Sequence, residues 1–116
     1  MNFTEYKGEN PNEYLCGKTI FIIGHTSSCG NCVIAKTKSE VFSRSHPDIM
    51  FVFWDMSKFG DLSLLVPNFY PMAFPYVRSY YDHSCIRGRY SAEIYILEDM
   101  INELNKIELE VRGWDL

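Results

Sequence analysis

The chain has 116 residues, of which 47% are apolar, and this size predicts a single domain over 1–116 with its own hydrophobic core. Acidic residues outnumber basic ones by 15 to 11, giving a net charge of −4, so we expect no nucleic-acid partner. No apolar run reaches the length of a membrane span, and residues 1–17 lack the basic and apolar parts of a secretory signal. A cytoplasmic monomer without a membrane partner is therefore expected.

The cysteines are the residues most able to carry chemistry. There are four, Cys16, Cys29, Cys32 and Cys85, and their spacing is uneven. Persistent disulfide frameworks belong to oxidising compartments, which the lack of a signal argues against. A transient catalytic disulfide, a metal site and free thiols remain as interpretations.

In chain order, the first predicted element is the strand KTIFIIG at 18–24, whose continuous apolar character is typical of a strand buried on both faces. Apolar residues two turns apart predict an amphipathic helix over 32–45, which ends before Pro47. The run IMFVFWDMS at 49–57 predicts a second strand. Strand, helix and strand in this order predict a right-handed crossover between parallel strands.

The second half of the chain begins less clearly, since residues 58–74 contain two prolines and predict a short helix or a loop. Aromatic and β-branched stretches at 74–81 and 85–91 flank the turn residues DHS and predict an antiparallel hairpin. Apolar residues at three- and four-residue steps predict a helix over 92–106.

The motif CGNC at 29–32 lies where the first strand gives way to a helix. The first backbone N–H groups of a helix have no internal partner and carry the positive end of the helix dipole, so a thiolate there is stabilised. A thiolate at Cys29 can attack a disulfide, and Cys32, one turn later, can resolve the mixed disulfide. This spacing predicts Cys29 as the nucleophile and Cys32 as the resolving cysteine.

Three features together resemble the thioredoxin-like superfamily of thioredoxins and glutaredoxins: the CGNC motif, the order of elements, and Pro75 in AFPYV before the first hairpin strand. The resemblance covers about residues 18–106. It implies an α/β fold with a central mixed sheet of about four strands and helices on both faces. It further implies a cis Phe74–Pro75 bond beside the motif, and substrate contacts from Phe74, Pro75, Gly30 and Asn31.

The chain also departs from both branches of this superfamily. Ser28 stands where thioredoxins have tryptophan, and the strand TIFII lacks their buried acid. Asn31 and AFP stand where glutaredoxins have a tyrosine and TVP. Residues 1–17 are too polar to predict the extra strand and helix of the full thioredoxin form. The sequence therefore resembles a compact, divergent member.

By this resemblance the protein is a small thiol–disulfide oxidoreductase that reduces protein disulfides. It needs no bound cofactor besides the redox-active Cys29–Cys32 disulfide, and a thioredoxin-reductase-type flavoenzyme or glutathione restores the dithiol. Three residues are candidate accessories: His25 could hold charge or accept a proton, Asp55 could relay protons to Cys32, and Lys36 could add positive charge.

Other interpretations of the motif stay open at this stage. One is a redox-weak binding module that serves as a subunit or adaptor of a partner protein, and another is a glutaredoxin-like reductase that depends on glutathione. A zinc site would need ligands such as His25, Cys16 and Cys85, and the absence of a second CxxC or histidine pair argues against it. We therefore expect no metal, whether zinc or an iron–sulfur cluster.

Overall fold

The computed structural model describes residues 2–114, in which the chain forms a five-stranded sheet, a 3₁₀ helix and two α-helices. In chain order the elements are β1 (Phe3–Glu5), the 3₁₀ helix (Pro11–Tyr14), β2 (Lys18–Gly24), α1 (Gly30–Ser43), β3 (Ile49–Asp55), β4 (Tyr76–Tyr81), β5 (Ser84–Arg89) and α2 (Ile94–Trp114).

The strands are arranged in the order β1-β3-β2-β4-β5. The central pair, β2 and β3, is parallel, as the strand–helix–strand pattern predicts, and β3 also pairs in parallel with β1. The hairpin of β4 and β5 is antiparallel, and β4 pairs antiparallel with β2. Every residue of β2 is buried because this strand lies between two neighbours and beneath a layer on each face.

The two faces of the sheet are covered differently. Both α-helices pack on one face, where Ala35 of α1 and Leu97 and Leu104 of α2 meet Ile22 and Phe53. The other face is covered by the N-terminal segment and the loop between β3 and β4, which bring Tyr6, Leu15, Leu62, Leu65 and Val66 onto Phe21 and Trp54. Tyr6 stacks on Trp54 with ring centroids 3.8 Å apart.

The mixed α/β sheet is confirmed, with two differences from the expectation. There are five strands in residues 2–114 because the polar N-terminal segment adds β1, a strand of only three half-buried residues. The second face carries a 3₁₀ helix and a loop instead of an α-helix, since the prolines of 58–74 leave only turns there. Residues before Lys18 also contribute to the hydrophobic core, since Tyr6 and Leu15 are buried in it.

The C-terminal helix is longer than predicted and runs over Ile94–Trp114. Within residues 2–114, no helix is both long and apolar enough to cross a bilayer.

Candidate active site

The two motif cysteines lie at the junction of the β2–α1 loop with α1 and form a disulfide, with Cα atoms 5.3 Å apart. Cys29 is the N-cap of α1 in an extended conformation, and the backbone N–H of Cys32 donates a hydrogen bond to its Sγ at 3.2 Å. Cys29 is partly exposed, whereas Cys32 is fully buried. After reduction, the N–H donor and the helix dipole both favour a thiolate on the accessible sulfur.

Phe74 and Pro75 face this sulfur from the loop that precedes β4. The Phe74–Pro75 peptide bond is cis, as the resemblance implies. The carbonyl oxygen of Phe74 lies 3.8 Å from Sγ of Cys29. The structure thus brings Cys29, the predicted nucleophile, next to the backbone segment expected to hold substrate, while Gly30 and Asn31 are exposed in the first turn of α1.

A cavity of about 270 Å³ adjoins Pro75 on the side of α1. Residues of α1 form one part of its lining, and the segment that joins β5 to α2 forms another. The lining residues include Asn31, Ile34, Lys38, Phe74, Tyr90 and Glu93. The cavity therefore adjoins Phe74 and Pro75, and its walls are both apolar and polar.

Exposed apolar side chains are frequent near the motif. They comprise Val33 and Ile34 of α1, Phe69, Tyr70 and Met72 of the loop before β4, and Tyr90 after β5. Tyr70 packs edge-on against Phe74, with ring centroids 6.2 Å apart. Apolar surface of this kind, grouped at one end of a protein, is typical of a contact surface for another protein.

Asp55 ends β3 and is buried, with 5% of its surface exposed. Burial alone would raise the pKa of its carboxyl group, but hydrogen bonds from Ser57 and Thr26 lower the pKa to about 2. The hydroxyl groups of Thr26 and Ser57 donate at 2.5 and 2.7 Å. A carboxylate that stays ionised is poorly suited to relaying protons. We therefore favour a structural role for Asp55, in which it holds Thr26 of the β2–α1 loop and Ser57 in place.

The other two predicted accessory residues lie in different surroundings. His25 directly follows β2, and its ring packs against Phe74 with centroids 5.9 Å apart. Lys36 forms an ion pair with Glu5 of β1 at 2.7 Å and lies over the ring of Phe53. The charge of Lys36 is therefore directed to the neighbouring strand and not to the motif.

Gly24 is a site residue that the sequence analysis did not single out. A Cβ atom at this position would lie 2.9 Å from Cβ and 3.1 Å from Sγ of Cys32. Only a glycine leaves room for Cys32 against the end of β2. A glycine at the end of an apolar strand, directly before a motif, is the signal that could have indicated this close approach.

The remaining cysteines lie away from the motif. Cys16 and Cys85 are exposed free thiols. Among residues 2–114, no group of three or more histidine, cysteine, aspartate or glutamate side chains has an arrangement that could hold a metal ion.

No family model matches the chain, and no curated protein matches it in sequence. Solved structures do match it. Oxidised mitochondrial thioredoxin 3 from Saccharomyces cerevisiae is 21% identical, and the match covers 78% of this chain and 81% of that chain with a TM-score of 0.64. Thioredoxin f from spinach chloroplast is 16% identical, with coverage of 89% and 86% and a TM-score of 0.72.

A third match is a chain of the complex between ferredoxin:thioredoxin reductase and thioredoxin f2. It is 15% identical, with coverage of 90% of this chain and 96% of that chain, and a TM-score of 0.74. At these identities the likeness concerns the fold, while the disulfide pair supports a thiol oxidoreductase in general terms. The chain therefore has the thioredoxin-like fold, with a CxxC disulfide at the start of its first α-helix.

Proposed function

We propose that the protein is a thiol–disulfide oxidoreductase that reduces disulfide bonds in other proteins through Cys29 and Cys32. The observation that carries the proposal is the asymmetry of the pair. Cys29 is partly exposed, and its Sγ accepts a backbone hydrogen bond and faces the carbonyl of Phe74, whereas Cys32 is fully buried. We infer that Cys29 attacks the substrate disulfide and that Cys32 reacts only with Sγ of Cys29.

The reaction proceeds in two exchanges. The thiolate of Cys29 attacks one sulfur of the substrate disulfide, the substrate S–S bond breaks, and the first substrate thiolate leaves and takes a proton from water. Cys32 then attacks Sγ of Cys29, the mixed disulfide breaks, and the proton lost by Cys32 ends on the second substrate sulfur. Two electrons pass to the substrate, and the Cys29–Cys32 disulfide remains.

The substrate would lie as an extended segment along Phe74 and Pro75. Unpaired backbone groups in such a loop can bind a strand, and flanking side chains can occupy adjacent recesses. The cavity beside Pro75 and the exposed rings of Tyr70 and Tyr90 supply contact surface for residues next to the substrate cysteine. We infer that Gly30 and Asn31, which are exposed in the first turn of α1, contact the same segment.

A dithiol reductase enzyme is the reductant that we favour. One structural neighbour is a chain from a complex of a thioredoxin with ferredoxin:thioredoxin reductase, so a partner of this general kind suits the fold. The enzyme we have in mind is a thioredoxin-reductase-type flavoenzyme, and glutathione is the alternative reductant. Rates of insulin reduction with each reductant at equal reducing equivalents would separate them.

Two cysteine variants test the mechanism. Cys29→Ser is expected to abolish reduction of a model disulfide, because Cys32 is buried and the other cysteines of residues 2–114, Cys16 and Cys85, do not lie at the start of an α-helix. Cys32→Ser is expected to accumulate a mixed disulfide with the substrate, which mass spectrometry detects as an adduct on the peptide containing Cys29. Full activity in Cys29→Ser would exclude this mechanism, and Cys85→Ser serves as the matched control.

A second candidate is a binding module in which the same surface holds a partner protein. The exposed apolar side chains around the motif favour it, because they would serve docking with or without electron transfer. A double Cys29→Ser, Cys32→Ser variant that retains full affinity for a partner captured by the wild-type protein would support this function.

A further inference from the structure

Helix α1 turns its small residues towards the sheet and leaves larger apolar residues in solvent. The buried residues recur at three- and four-residue steps and are Cys32, Ala35, Ser39 and Ser43. Val33, Ile34 and Val41 lie outside this face and are 47%, 51% and 54% exposed. The apolar surface of α1 is therefore wider than the part that the core uses. Apolar surface that continues over several residues is typical of a contact surface.

A second cavity, of about 260 Å³, lies beside this exposed surface. Its lining consists of four residues of α1 and the first residue of α2, namely Thr37, Lys38, Val41, Phe42 and Ile94. A lysine can contribute its methylene groups to such a wall while its ammonium group stays in water. The walls of this second cavity are therefore largely hydrocarbon, in contrast to the mixed walls of the cavity beside Pro75.

The two cavities are parts of one groove between α1 and the start of α2. Lys38 lines both of them, and Glu93, which lines the first, directly precedes Ile94, which lines the second. The first cavity adjoins Pro75, so the groove begins beside the loop that faces Cys29. It then follows α1 away from the motif and ends at the second cavity.

We propose that this α1–α2 groove, formed by residues 31–42 and 90–94, docks an extended segment of the protein substrate, and that its second cavity binds an apolar side chain of that segment. The inference rests on the proposed function, because a substrate that reaches Cys29 must lie against the loop at Pro75, where the groove begins. The side chain is apolar because the walls that receive it are largely hydrocarbon, and contact removes apolar surface of both partners from water.

The length of the groove determines where in the substrate this side chain stands. Val41 follows Asn31 by ten residues of α1, and a helix rises 1.5 Å per residue, so the two ends of the groove are about 15 Å apart. An extended chain advances about 3.3–3.6 Å per residue. A side chain about four or five residues from the reacting cysteine therefore reaches the second cavity.

Lys38 and Glu93 lie at the boundary between the two cavities. Their charged groups form an ion pair at 3.5 Å, and their side chains are 40% and 58% exposed. An exposed pair of this kind contributes little to stability, so a bound chain can separate the two charges at little cost. The ammonium group then donates hydrogen bonds to the backbone of that chain, and the carboxylate accepts them.

Peptide substrates test the docking and its spacing. Each peptide carries one cysteine in a mixed disulfide with thionitrobenzoate, and one leucine is moved along an otherwise glycine- and serine-based sequence. The reduced protein converts each peptide to its free thiol and thionitrobenzoate, whose absorbance gives the rate constant, and the Cys29–Cys32 disulfide is formed. A leucine four or five residues from the cysteine is expected to raise the rate constant about tenfold over the leucine-free peptide. Equal rate constants, or a maximum with leucine next to the cysteine, would overturn the proposal.

A pair of exposed positions tests whether the second cavity is responsible. Val41→Ser removes an apolar wall of that cavity, and Leu109→Ser is the matched control, because Leu109 is 68% exposed on α2 and lines neither cavity. Val41→Ser is expected to reduce the advantage of the leucine peptide over the leucine-free peptide about fivefold, and Leu109→Ser to leave it intact. An undiminished advantage in Val41→Ser, or an equal loss in Leu109→Ser, would overturn the assignment.

Binding can also be observed without chemistry, by NMR of the oxidised protein. A leucine peptide that carries serine in place of its cysteine is expected to shift the amide signals of Thr37, Val41 and Ile94 more than the leucine-free peptide does. Shifts that do not depend on the leucine would overturn the proposal. A second copy of the chain is the competing occupant, and a wild-type dimer in sedimentation that Val41→Ser dissociates would assign the groove to self-association instead.

Failure of this inference differs from failure of the proposed function. If the protein reduces the mixed disulfides but its rate constants do not depend on the leucine, only the docking groove is wrong. If Cys29 and Cys32 reduce no disulfide, the proposed function is wrong, while the NMR titration still reports whether the groove binds the peptide.

Discussion

Gly24→Ala is the substitution that most directly probes how the fold holds Cys32. The new methyl group would lie 2.9 Å from Cβ of Cys32, 3.1 Å from its Sγ and 3.2 Å from Cζ of Phe53. Carbon atoms in contact are ordinarily about 3.5–4.0 Å apart. Phe53 and Cys32 are both buried, so neither can move into solvent. The start of α1 or the end of β2 must therefore shift by about half an ångström.

The expected magnitude follows from the behaviour of overpacked cores. An extra methyl group in a filled interior costs about 1–3 kcal/mol of folding free energy. Part of this cost should fall on the oxidised form alone, because the disulfide fixes Sγ of Cys32 at 3.1 Å from the methyl group, whereas the contacts with Cβ of Cys32 and Cζ of Phe53 are present in both forms. In the reduced form the thiol can rotate away. Since about 30 mV corresponds to 1.4 kcal/mol for a two-electron couple, the reduction potential should rise by up to about 60 mV.

Two assays measure these effects. Urea unfolding of the oxidised and reduced proteins gives the two stability losses, and equilibration with glutathione buffers gives the potential. Gly60→Ala is the matched control, since a Cβ there meets only the carbonyl oxygen of Met56 at 3.6 Å, an ordinary contact. An unchanged potential together with unchanged stability in Gly24→Ala, or equal losses in both variants, would refute the close approach.

Two further predictions concern stability. Asp55→Asn is expected to lower the free energy of unfolding by about 2 kcal/mol at pH 7, because the carboxylate pKa is about 2 in the folded protein against an ordinary 3.8. This contribution is complete above pH 3.8 and is lost as the pH falls towards 2, so a gap between variant and wild type that persists at pH 2 would contradict it. Ser39→Ala is expected to raise the unfolding free energy by about 1 kcal/mol, since Oγ of Ser39 is buried without a hydrogen-bond partner and alanine is the better helix former. A decrease in urea unfolding experiments would indicate that this hydroxyl is satisfied in solution.

The central elements could be predicted from the sequence because their signals are strong and local. KTIFIIG coincides with β2, and the apolar run after Pro47 contains β3. A strand that is buried on both faces needs apolar residues at successive positions, and few other elements show this pattern. The motif at the start of α1 follows from the same pattern, since it occupies the short interval between a buried strand and an amphipathic helix.

Other features depend on contacts between distant segments, which a sequence pattern does not reveal. β1 is three residues long, and its place in the sheet depends on pairing with Phe51 to Phe53. Arg78 lies in β4, an inner strand of the sheet, where the phenol oxygens of Tyr76 and Tyr80 accept its hydrogen bonds. Both tyrosines lie two residues away on the same face of β4, so alternation along a strand could have indicated this arrangement.

In the candidate site, too, local motifs could be predicted from the sequence and contacts between distant segments could not. The cysteines, Phe74 and Pro75 were identified from motif and order, and the structure brings them together. The contacts of Ser57 with Asp55 at 2.7 Å and with the His25 ring at 3.3 Å were not predicted, because they combine the end of one strand with the loop after another. Short polar loops contain many serines, and only their placement in space shows which hydroxyl groups converge.

The most direct test of the account is the redox equilibrium of the two motif cysteines. The protein would be equilibrated through a series of dithiothreitol and glutathione buffers, its thiols trapped at each step, and every disulfide located by peptide mass spectrometry. A reversible Cys29–Cys32 bridge with a potential of roughly −230 mV or below is the expected result for a reductase. If no bridge between Cys29 and Cys32 forms in any buffer, the account of this protein as a thiol–disulfide oxidoreductase is wrong.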